Sequence, residues 1–386
     1  MTNKKMLKGN KFKNFAFSIS KIIPTIALAY TISFMPVYSQ EIIPDGNTNT
    51  ILNYNSGSTN ISTTTIKGNN AFNSFEKFNV NLNNTVNLHV PSSSENLINL
   101  IHSEHSNING ILNSIKDNKV GGNIFIVNPY GVTVGPQGVI NVGSLTISTP
   151  TTDYMNKFFD SPGNPNNDSV INLLEGKSPV NPDANIFING AIKAINNVQL
   201  DSGNIVNTGN ISTGNNFDEL SINDLVNVND LKTGDVINNN GNNITIKAKN
   251  DFTNLGNILA DGNNNINAGD ISITADNNIY LEPDSYISAK GNGINSNAGN
   301  IFIYANKTSK FEDGSYIDVS GGTISGDAGH IELSATDSVE LNGGLFKATA
   351  TNGNNGSVLI DPENLFLTQN FYTDGADYTF EGTNSV

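Results

Sequence analysis

The chain of 386 residues contains no cysteine, no tryptophan and no arginine, so all 20 of its basic residues are lysines. Without cysteine it can form neither a disulfide framework nor a thiolate metal site. A chain without cysteine is also suited to passing unfolded through a membrane pore, because no premature crosslink can block its passage. A compositional bias toward Asn and Ile explains the same absences, so both explanations stay open.

Positive charge is concentrated at the N-terminus, where the sequence is typical of a secretory signal. The charged region consists of Lys4, Lys5, Lys8, Lys11, Lys13 and Lys21. An apolar stretch over residues 22–37 follows, and Ser39 supplies a small residue at the cleavage point. An uncleaved anchor is the alternative, but Pro24, Pro36 and the short apolar length argue against it. We predict a signal peptide over residues 1–39, with cleavage near Ser39–Gln40.

The remaining chain has few positive charges and many negative ones. Removing residues 1–39 removes 6 lysines and no acidic residue, which leaves 14 Lys against 35 Asp and Glu, a net charge of −21. Such a surface repels nucleic acid and anionic lipid. The composition therefore predicts no nucleic-acid partner.

Short apolar segments recur in the second half with a period near 30 residues. The first apolar position of each is Ile244, Ile271, Ile301, Ile331 and Val358, at spacings of 27, 30, 30 and 27 residues. A second strand follows in phase at 256–262, 284–291, 314–321 and 344–350. One such unit cannot bury its apolar face alone, so neighbouring units must stack. The repeat predicts an all-β, right-handed parallel β-helix. A β-sandwich is the alternative, but its strands would not keep this period.

The strand pattern also predicts which side chains face the core. Ile271 and Ile273 should point inward, whereas Ser272 and Thr274 should point outward. About a dozen coils at roughly 4.8 Å each would give a rod on the order of 60 Å long. We expect Asn residues at the corners to stack as side-chain amide ladders.

Four segments are expected to depart from the regular pattern. Residues 94–118 have apolar positions close to helical spacing and predict a short helix or a capping excursion. Residues 150–182 carry five prolines and predict a surface loop or an extra-helical hairpin. Residues 45–90 are expected to cap the first coil, because an exposed strand edge is prone to pairing with other chains. The polar tail over 371–386 is expected to fray.

The most distinctive stretch is GGNIFIVNPYGVTVGPQGVINVGSLTIST, residues 121–149, which we interpret as two short strands joined by turns. Its alternating apolar positions are Ile124, Ile126, Val132, Val134, Ile140, Val142, Leu145 and Ile147. Asn128 and Pro129 begin a turn, since proline presets φ and Asn can bond the local backbone. The bends that follow hold Gly131, Gly135, Gly138 and Gly143, where positive φ or a missing Cβ is useful.

This stretch closely resembles the "NPNG" region of the secretion domain of two-partner-secreted exoproteins, the family of filamentous haemagglutinin and the high-molecular-weight adhesins. FEKFNVNLNNTVNLHV (75–90), SENLINLIHSEHSNINGILNSI (94–115) and GSVLIDPENLFLT (356–368) are similar to further segments of that family. The resemblance covers most of residues 45–370. The third motif position is usually Asn in the family and is Tyr130 here.

The resemblance implies a secretion domain over residues 40–240, followed by β-helix repeats over 241–370. It implies export through the periplasm to the cell surface or the medium. The implied partners are an outer-membrane β-barrel transporter with periplasmic binding domains and a host or cell-surface ligand of an adhesive rod. The residues implied in transporter recognition and folding are Asn128, Pro129, Tyr130, Gly131, Gly135, Gly138, Asn141 and Gly143. An isolated secretion module of a longer or decayed exoprotein is an alternative.

Chemistry offers a further alternative, because many parallel β-helices are enzymes acting on polysaccharides. Hydrolysis needs paired carboxylates, and the sequence shows no distinctive cluster of them. Lyases of this shape commonly use arginine, which the chain lacks. His102, Glu104 and His105 form the only clustered set of metal-ligand types, and we interpret them as solvated surface residues. His330 is expected at an exposed corner. We predict neither an enzyme, nor a metal site, nor a cofactor.

Overall fold

A computed structural model describes residues 41–55, 57–214, 242–263 and 265–367, together with three short strands at 372–374, 377–380 and 384–385. The predicted signal peptide over 1–39, most of the predicted tail and the predicted boundary at residue 240 lie outside these residues. The described chain winds as a parallel β-helix, in which each coil contributes one strand to each of three faces. The predicted fold class is confirmed.

The first face is a continuous parallel stack in which each strand pairs with its counterparts in the coils before and after it. Its strands are β5 (Asn70–Phe78), β7 (Asn96–Ile101), β11 (Asn123–Val127), β14 (Ser144–Ser148), β19 (Val198–Ser202), β22 (Ile244–Ala248), β25 (Ile271–Ala275), β28 (Ile301–Ala305), β31 (His330–Asn342), β33 (Ser357–Leu367) and β35 (Asp377–Phe380). These are eleven rungs within the described chain, close to the predicted dozen.

The second face follows the first around each coil, and the long strands β31 and β33 run through both. Its other strands are β8 (Ser106–Ile108), β12 (Val132–Val134), β17 (Asn185–Ile188), β20 (Asn204–Asn207), β23 (Phe252–Asn254), β26 (Ile279–Leu281), β29 (Thr308–Glu312) and β36 (Asn384–Ser385).

The third face closes each coil. Its parallel strands are β3 (Ser58–Thr63), β6 (Thr85–His89), β9 (Ile111–Lys116), β13 (Val139–Val142), β18 (Ala191–Ala194), β21 (Asn210–Ser212), β24 (Asn257–Leu259), β27 (Tyr286–Ser288), β30 (Tyr316–Asp318), β32 (Leu345–Lys347) and β34 (Tyr372–Asp374). A short strand, β10 (Lys119–Val120), folds back antiparallel onto β9.

The register confirms the predicted period residue by residue. Ile244, Ile271, Ile301, Ile331 and Val358 pair in one column along the first face. Ile271 and Ile273 are buried in the core, while Ser272 and Thr274 face outward and are partly exposed, as predicted. This alternation places one apolar stripe per strand inside the coil, and stacking joins the stripes into a single hydrophobic core.

An antiparallel cap covers the first coil, as predicted, but it ends at Lys67 rather than at residue 90, because β5 and β6 already belong to the parallel winding. β1 (Ile42–Pro44) and β4 (Ile66–Lys67) pair antiparallel with β5, and β2 (Thr50–Asn55) pairs antiparallel with β3. Antiparallel pairing turns the chain back on itself before the parallel winding begins. The cap thereby covers an edge that would otherwise be open to other strands.

The segment between β14 and β17, residues 150–182, leaves the coil and forms an excursion with its own secondary structure. It contains two short helices, α1 (Thr152–Asn156) and α2 (Asn167–Leu174), and a hairpin of β15 (Phe159–Ser161) with β16 (Asn164–Pro165). Thr151 and Asn166 cap the two helices with their side-chain oxygens. The predicted extra-helical hairpin is confirmed, and the short helices lie here.

Two predictions from the first half are wrong. Residues 94–118 are not a helix but the strands β7, β8 and β9, one on each face of a coil. The spacing of their apolar residues suggested a helix because β7 is buried on both sides, so apolar and polar residues do not alternate along this strand. The stretch 121–149 holds four strands rather than two, β11 to β14, because corners of a few residues separate the faces.

Candidate functional site

The turn at 128–131 connects the first face to the second and is closed by hydrogen bonds between its own residues. Its carbonyl at Asn128 accepts a hydrogen bond from the Gly131 amide at 3.1 Å, which closes a four-residue turn. The Asn128 Oδ1 accepts a second bond from the Tyr130 amide at 2.9 Å. Pro129 occupies the first corner, where its fixed φ fits, and Gly131 has a φ of +100°. The sequence predicted both features of this turn.

The Asn128 side chain also binds the coil below. It has no exposed surface, and its Nδ2 donates to the Glu104 carbonyl at 2.9 Å and to the Ser106 Oγ at 3.0 Å. Both partners belong to the HSEHS segment, which forms the equivalent corner one coil earlier. One buried amide therefore makes hydrogen bonds in two successive coils.

The histidines of that segment are structural. His105 donates from Nδ1 to the Tyr130 carbonyl at 3.0 Å, and its Nε2 lies 2.7 Å from the Thr133 Oγ1. His102 lies 3.1 Å from the Ser74 Oγ and 3.6 Å from the Asp45 carboxylate. Burial lowers the pKa of His102, and the Asp45 carboxylate partly offsets this. The prediction of solvated histidines is wrong, because both rings bridge neighbouring coils.

The coil above holds the same turn from the other side. Asn181, in the returning limb of the excursion, donates its Nδ2 to the Pro129 carbonyl at 2.7 Å. A Cβ on Gly131 would overlap the Asn185 carbonyl oxygen and lie 2.8 Å from the His105 Nδ1. Tyr130 is the exception, because its side chain is 44% exposed and points away from the stack. The turn thus contacts both the coil before it and the coil after it.

A family model described as the TPS secretion domain matches residues 40–279, more than half of the chain. The chain belongs to the TPS secretion domain family. A similar solved structure is the HMW1 secretion domain from Haemophilus influenzae, at 15% identity and a TM-score of 0.42, covering 88% of this chain and 98% of that one. No curated protein matches the sequence.

Membership of the TPS family makes this chain a substrate of two-partner secretion, and it implies an outer-membrane transporter as partner. The family consists of secretion domains of exoproteins and is not a family of enzymes. In the part of the chain that is described, no helix has the length and apolarity needed to cross a membrane. The same part holds no group of three or more His, Asp or Glu residues arranged to bind a metal.

Three further glycines of the stretch 121–149 permit close contact between coils. A Cβ on Gly135 would overlap the Asn109 amide, one on Gly138 would overlap the Ile108 carbonyl, and one on Gly143 would overlap the Gly122 backbone. None of the three has a positive φ. Their role is therefore the close approach of successive corners rather than an unusual backbone conformation.

Asn141 belongs to a buried ladder that crosses the third face of the TPS domain. Asn87 donates to Asn60 at 3.1 Å, Asn113 donates to Asn87 at 3.0 Å, and Asn141 donates to Asn113 at 2.9 Å. The four residues occupy one register position on β3, β6, β9 and β13. The predicted amide ladders thus exist, although this one lies along strands rather than at corners.

His330 takes part in a second ladder, at a corner. The Asn243 Oδ1 accepts from the Asp270 amide at 2.9 Å, the Asp270 Oδ1 from the Asn300 amide at 2.7 Å, and the Asn300 Oδ1 from the His330 amide at 2.9 Å. His330 Nδ1 then lies 2.7 Å from the Ser357 Oγ. The corner position was predicted, but the ring is half-buried and bonded to the next coil rather than free in solvent.

The structure places six of the eight predicted residues at two successive corners, which the short strand β12 separates. Asn128 to Gly131 form the turn, and Gly135 and Gly138 form the following corner, whereas Asn141 and Gly143 lie on and after the third-face strand β13. Sequence reasoning missed Glu104, Ser106 and Asn181, which supply the partners of the turn. Glu104 and Ser106 lie 24 and 22 residues before Asn128, at the corner one coil earlier, whereas Asn181 lies on the excursion, outside the repeat.

Proposed function

We propose that the outer-membrane transporter recognises this chain in an extended form, and that the chain then folds outside the cell from its capped end. In this proposal, folding of the first coils as they emerge is favoured by Asn128, Pro129, Gly131, Gly135, Gly138, Asn141 and Gly143. Tyr130 contributes through its backbone. The folded solenoid serves as an adhesive rod that binds a host or cell-surface ligand. The adhesive part rests on the resemblance to filamentous haemagglutinin and the high-molecular-weight adhesins.

The observation that carries the folding role is the placement of the Asn128 side chain. Its amide reaches the Glu104 carbonyl and the Ser106 hydroxyl, which belong to the preceding coil. The turn therefore gains its full set of hydrogen bonds only when the earlier coil is in place. Each new coil of a solenoid adds to a ready edge in this way, so folding proceeds from the cap in the order of emergence.

The test compares Asn128→Ala with Asn254→Ala as a matched control. Asn254 is also fully buried, and its side chain makes hydrogen bonds of 2.8 Å with Asn207 and 3.0 Å with the Gly256 carbonyl, in a later coil. Each substitution removes two or three buried hydrogen bonds and should cost roughly 1–3 kcal/mol of stability. Their effects on the folded state should therefore be similar.

Secreted and periplasmic pools are measured for both variants, with the transporter present and absent. We expect Asn128→Ala to reduce transporter-dependent secretion several-fold while export into the periplasm is unchanged, and Asn254→Ala to secrete near the wild-type level. Equal secretion of the two variants, with equally lowered melting temperatures, would leave the turn a purely structural role. Secretion of the wild-type chain without any transporter would contradict the proposed partner itself.

A further inference from the structure

The outer side of the first face carries a buried apolar patch in its first three rungs, β5, β7 and β11. One outward column holds Phe72, Ile98 and Phe125, and the other holds Leu100 and Val127, all of which are buried. The register positions of the next two rungs are polar: Thr146 and Gln199 continue the first column, Ser148 and Asp201 the second. We call Phe72, Ile98, Leu100, Phe125 and Val127 the apolar strip.

The excursion covers this strip in the folded chain. Tyr154, Met155, Phe158, Val170 and Leu173 form a second hydrophobic core with it, separate from the core inside the coil. The Phe158 ring centroid lies 6.4 Å from that of Phe72 and 5.9 Å from that of Tyr154. Burial on both sides explains why β7 and β11 are near-continuous apolar runs, whereas β22 and β25 alternate apolar and polar residues.

The excursion is also tied to the cap. The Gly163 amide donates to the Asn47 carbonyl at 2.7 Å, and the Lys67 Nζ donates to the Asn164 Oδ1 at 3.3 Å. The hairpin at 159–165 thus reaches back across the first coil to residues more than 90 positions earlier in the sequence. The excursion therefore covers the capped end of the solenoid and is hydrogen-bonded to it, and we call it the clasp in this role.

Chain order separates the strip from its cover. The strip is complete at Val127, but the first covering residue is Tyr154, and the last is Leu173 after a further 19 residues. A chain that emerges N-terminus first therefore presents the strip before the clasp exists. An apolar surface of this kind is a binding site for a partner until it is covered.

We propose that the side chains of the apolar strip are the contacts by which the transporter's periplasmic domains hold the extended chain, and that docking of the excursion buries these side chains and prevents the folded chain from binding the domains again. The proposal rests on the proposed function and names the contact surface within it. A second copy of the folded chain does not fit as the occupant, because each folded copy already covers its own strip. Only a partner that meets the chain before the excursion docks has access to it. Binding to the domains and docking of the excursion thereby compete for the same five side chains.

The experiment uses the full chain, diluted from urea at low concentration, and the purified periplasmic domains of its own transporter. Phe125→Ser removes a ring from the strip, and Phe158→Ser removes a ring from the clasp side of the same core. Both leave a similar gap in the folded protein, so they are matched for their effect on folded stability. Phe252→Ser, in the core of a later coil, controls for the loss of any phenylalanine.

We expect Phe125→Ser to weaken binding of the unfolded chain about tenfold, as the loss of an aromatic anchor does at other interfaces. Phe158→Ser and Phe252→Ser should bind within about twofold of wild type, a difference of under roughly 0.5 kcal/mol. During refolding, Phe158→Ser should release the domains more slowly than wild type, whereas Phe252→Ser should not.

If the unfolded wild-type chain binds the domains, equal effects of Phe125→Ser and Phe158→Ser on binding, or no effect of either, would overturn the assignment of the strip. Association of chains with one another in place of the periplasmic domains, seen by light scattering, would overturn it as well. Failure of the unfolded wild-type chain to bind the domains would instead contradict the proposed function, and the inference would fall with it.

Discussion

Asp201 is a buried carboxyl whose ionisation should make the stability of this region depend on pH. It lies on β19 in register with Ser148 on one side and Lys247 on the other, and it is 5% exposed. The Ser148 hydroxyl lies 3.3 Å from that of Ser178 in the returning limb of the excursion. Burial raises the pKa of Asp201 to about 6, and the Lys247 charge partly offsets the rise. The perturbation is Asp201→Asn, which keeps the shape and removes the charge.

The sign follows from the order in which the two states ionise. The ordinary pKa is 3.8, so the unfolded chain loses this proton first as the pH rises. Stability therefore falls between pH 3.8 and about 6 and stays lower above that range. A shift of about 2 pKa units at about 1.4 kcal/mol per unit gives a cost of roughly 3 kcal/mol at neutral pH. The asparagine variant avoids this cost.

Urea denaturation followed by far-ultraviolet circular dichroism measures the effect at pH 8 and at pH 4. Asp201→Asn should raise the free energy of unfolding by up to about 3 kcal/mol at pH 8 and by about 0.5 kcal/mol at pH 4. Asp183→Asn, an exposed carboxylate next to the same limb, is the control and should change little at either pH. A variant less stable than wild type at pH 8, or a difference independent of pH, would refute the reasoning.

Two further substitutions test the winding and the turn. Ile301→Ala should lower the free energy of unfolding by about 2–5 kcal/mol, because Ile301 lies in the core between two coils. Phe302→Ala, on the outer side of the same strand, should lower it by under about 1 kcal/mol. Equal decreases in the free energy of unfolding, measured by denaturation, would contradict the inward and outward assignment. Gly131→Ala should cost about 1–3 kcal/mol more than Gly163→Ala. Both glycines have positive φ, but a Cβ on Gly163 meets no atom within 4 Å, so equal melting temperatures would contradict the overlap at Gly131.

The predicted site shows where a single sequence is informative. Asn128, Pro129 and Gly131 were assigned to a turn because their backbone preferences are local, and the turn has the expected hydrogen bonds. The neighbours of that turn were not predictable in the same way. Asn181 reaches Pro129 only because the excursion returns to the coil at that point, and no local preference encodes the return. Recognition of this site by a transporter stays a prediction.

The histidine pair and the mistaken helix failed for a shared reason. The sequence predicts a solvated His105, yet this residue binds the Tyr130 carbonyl and the Thr133 hydroxyl of the next coil. The sequence predicts a helix over residues 94–118 because strand alternation is absent where a second core covers β7. In both cases the deciding neighbour lies on another coil or on the excursion, and the segment by itself carries no sign of it.

The periodic part of this protein can be derived from its sequence alone. Parallel stacking places equivalent residues of successive coils in register, so the column from Ile244 to Val358 is visible in the spacing of one chain. Which outer surfaces are covered, and which polar groups form hydrogen bonds with each other, depends on the tertiary structure. The excursion folds back over β5, β7 and β11 to build a second core, and its returning limb places Ser178 beside Ser148, the register partner of Asp201. Such contacts depend on where an inserted segment docks, and docking is a property of the folded surface rather than of any repeat.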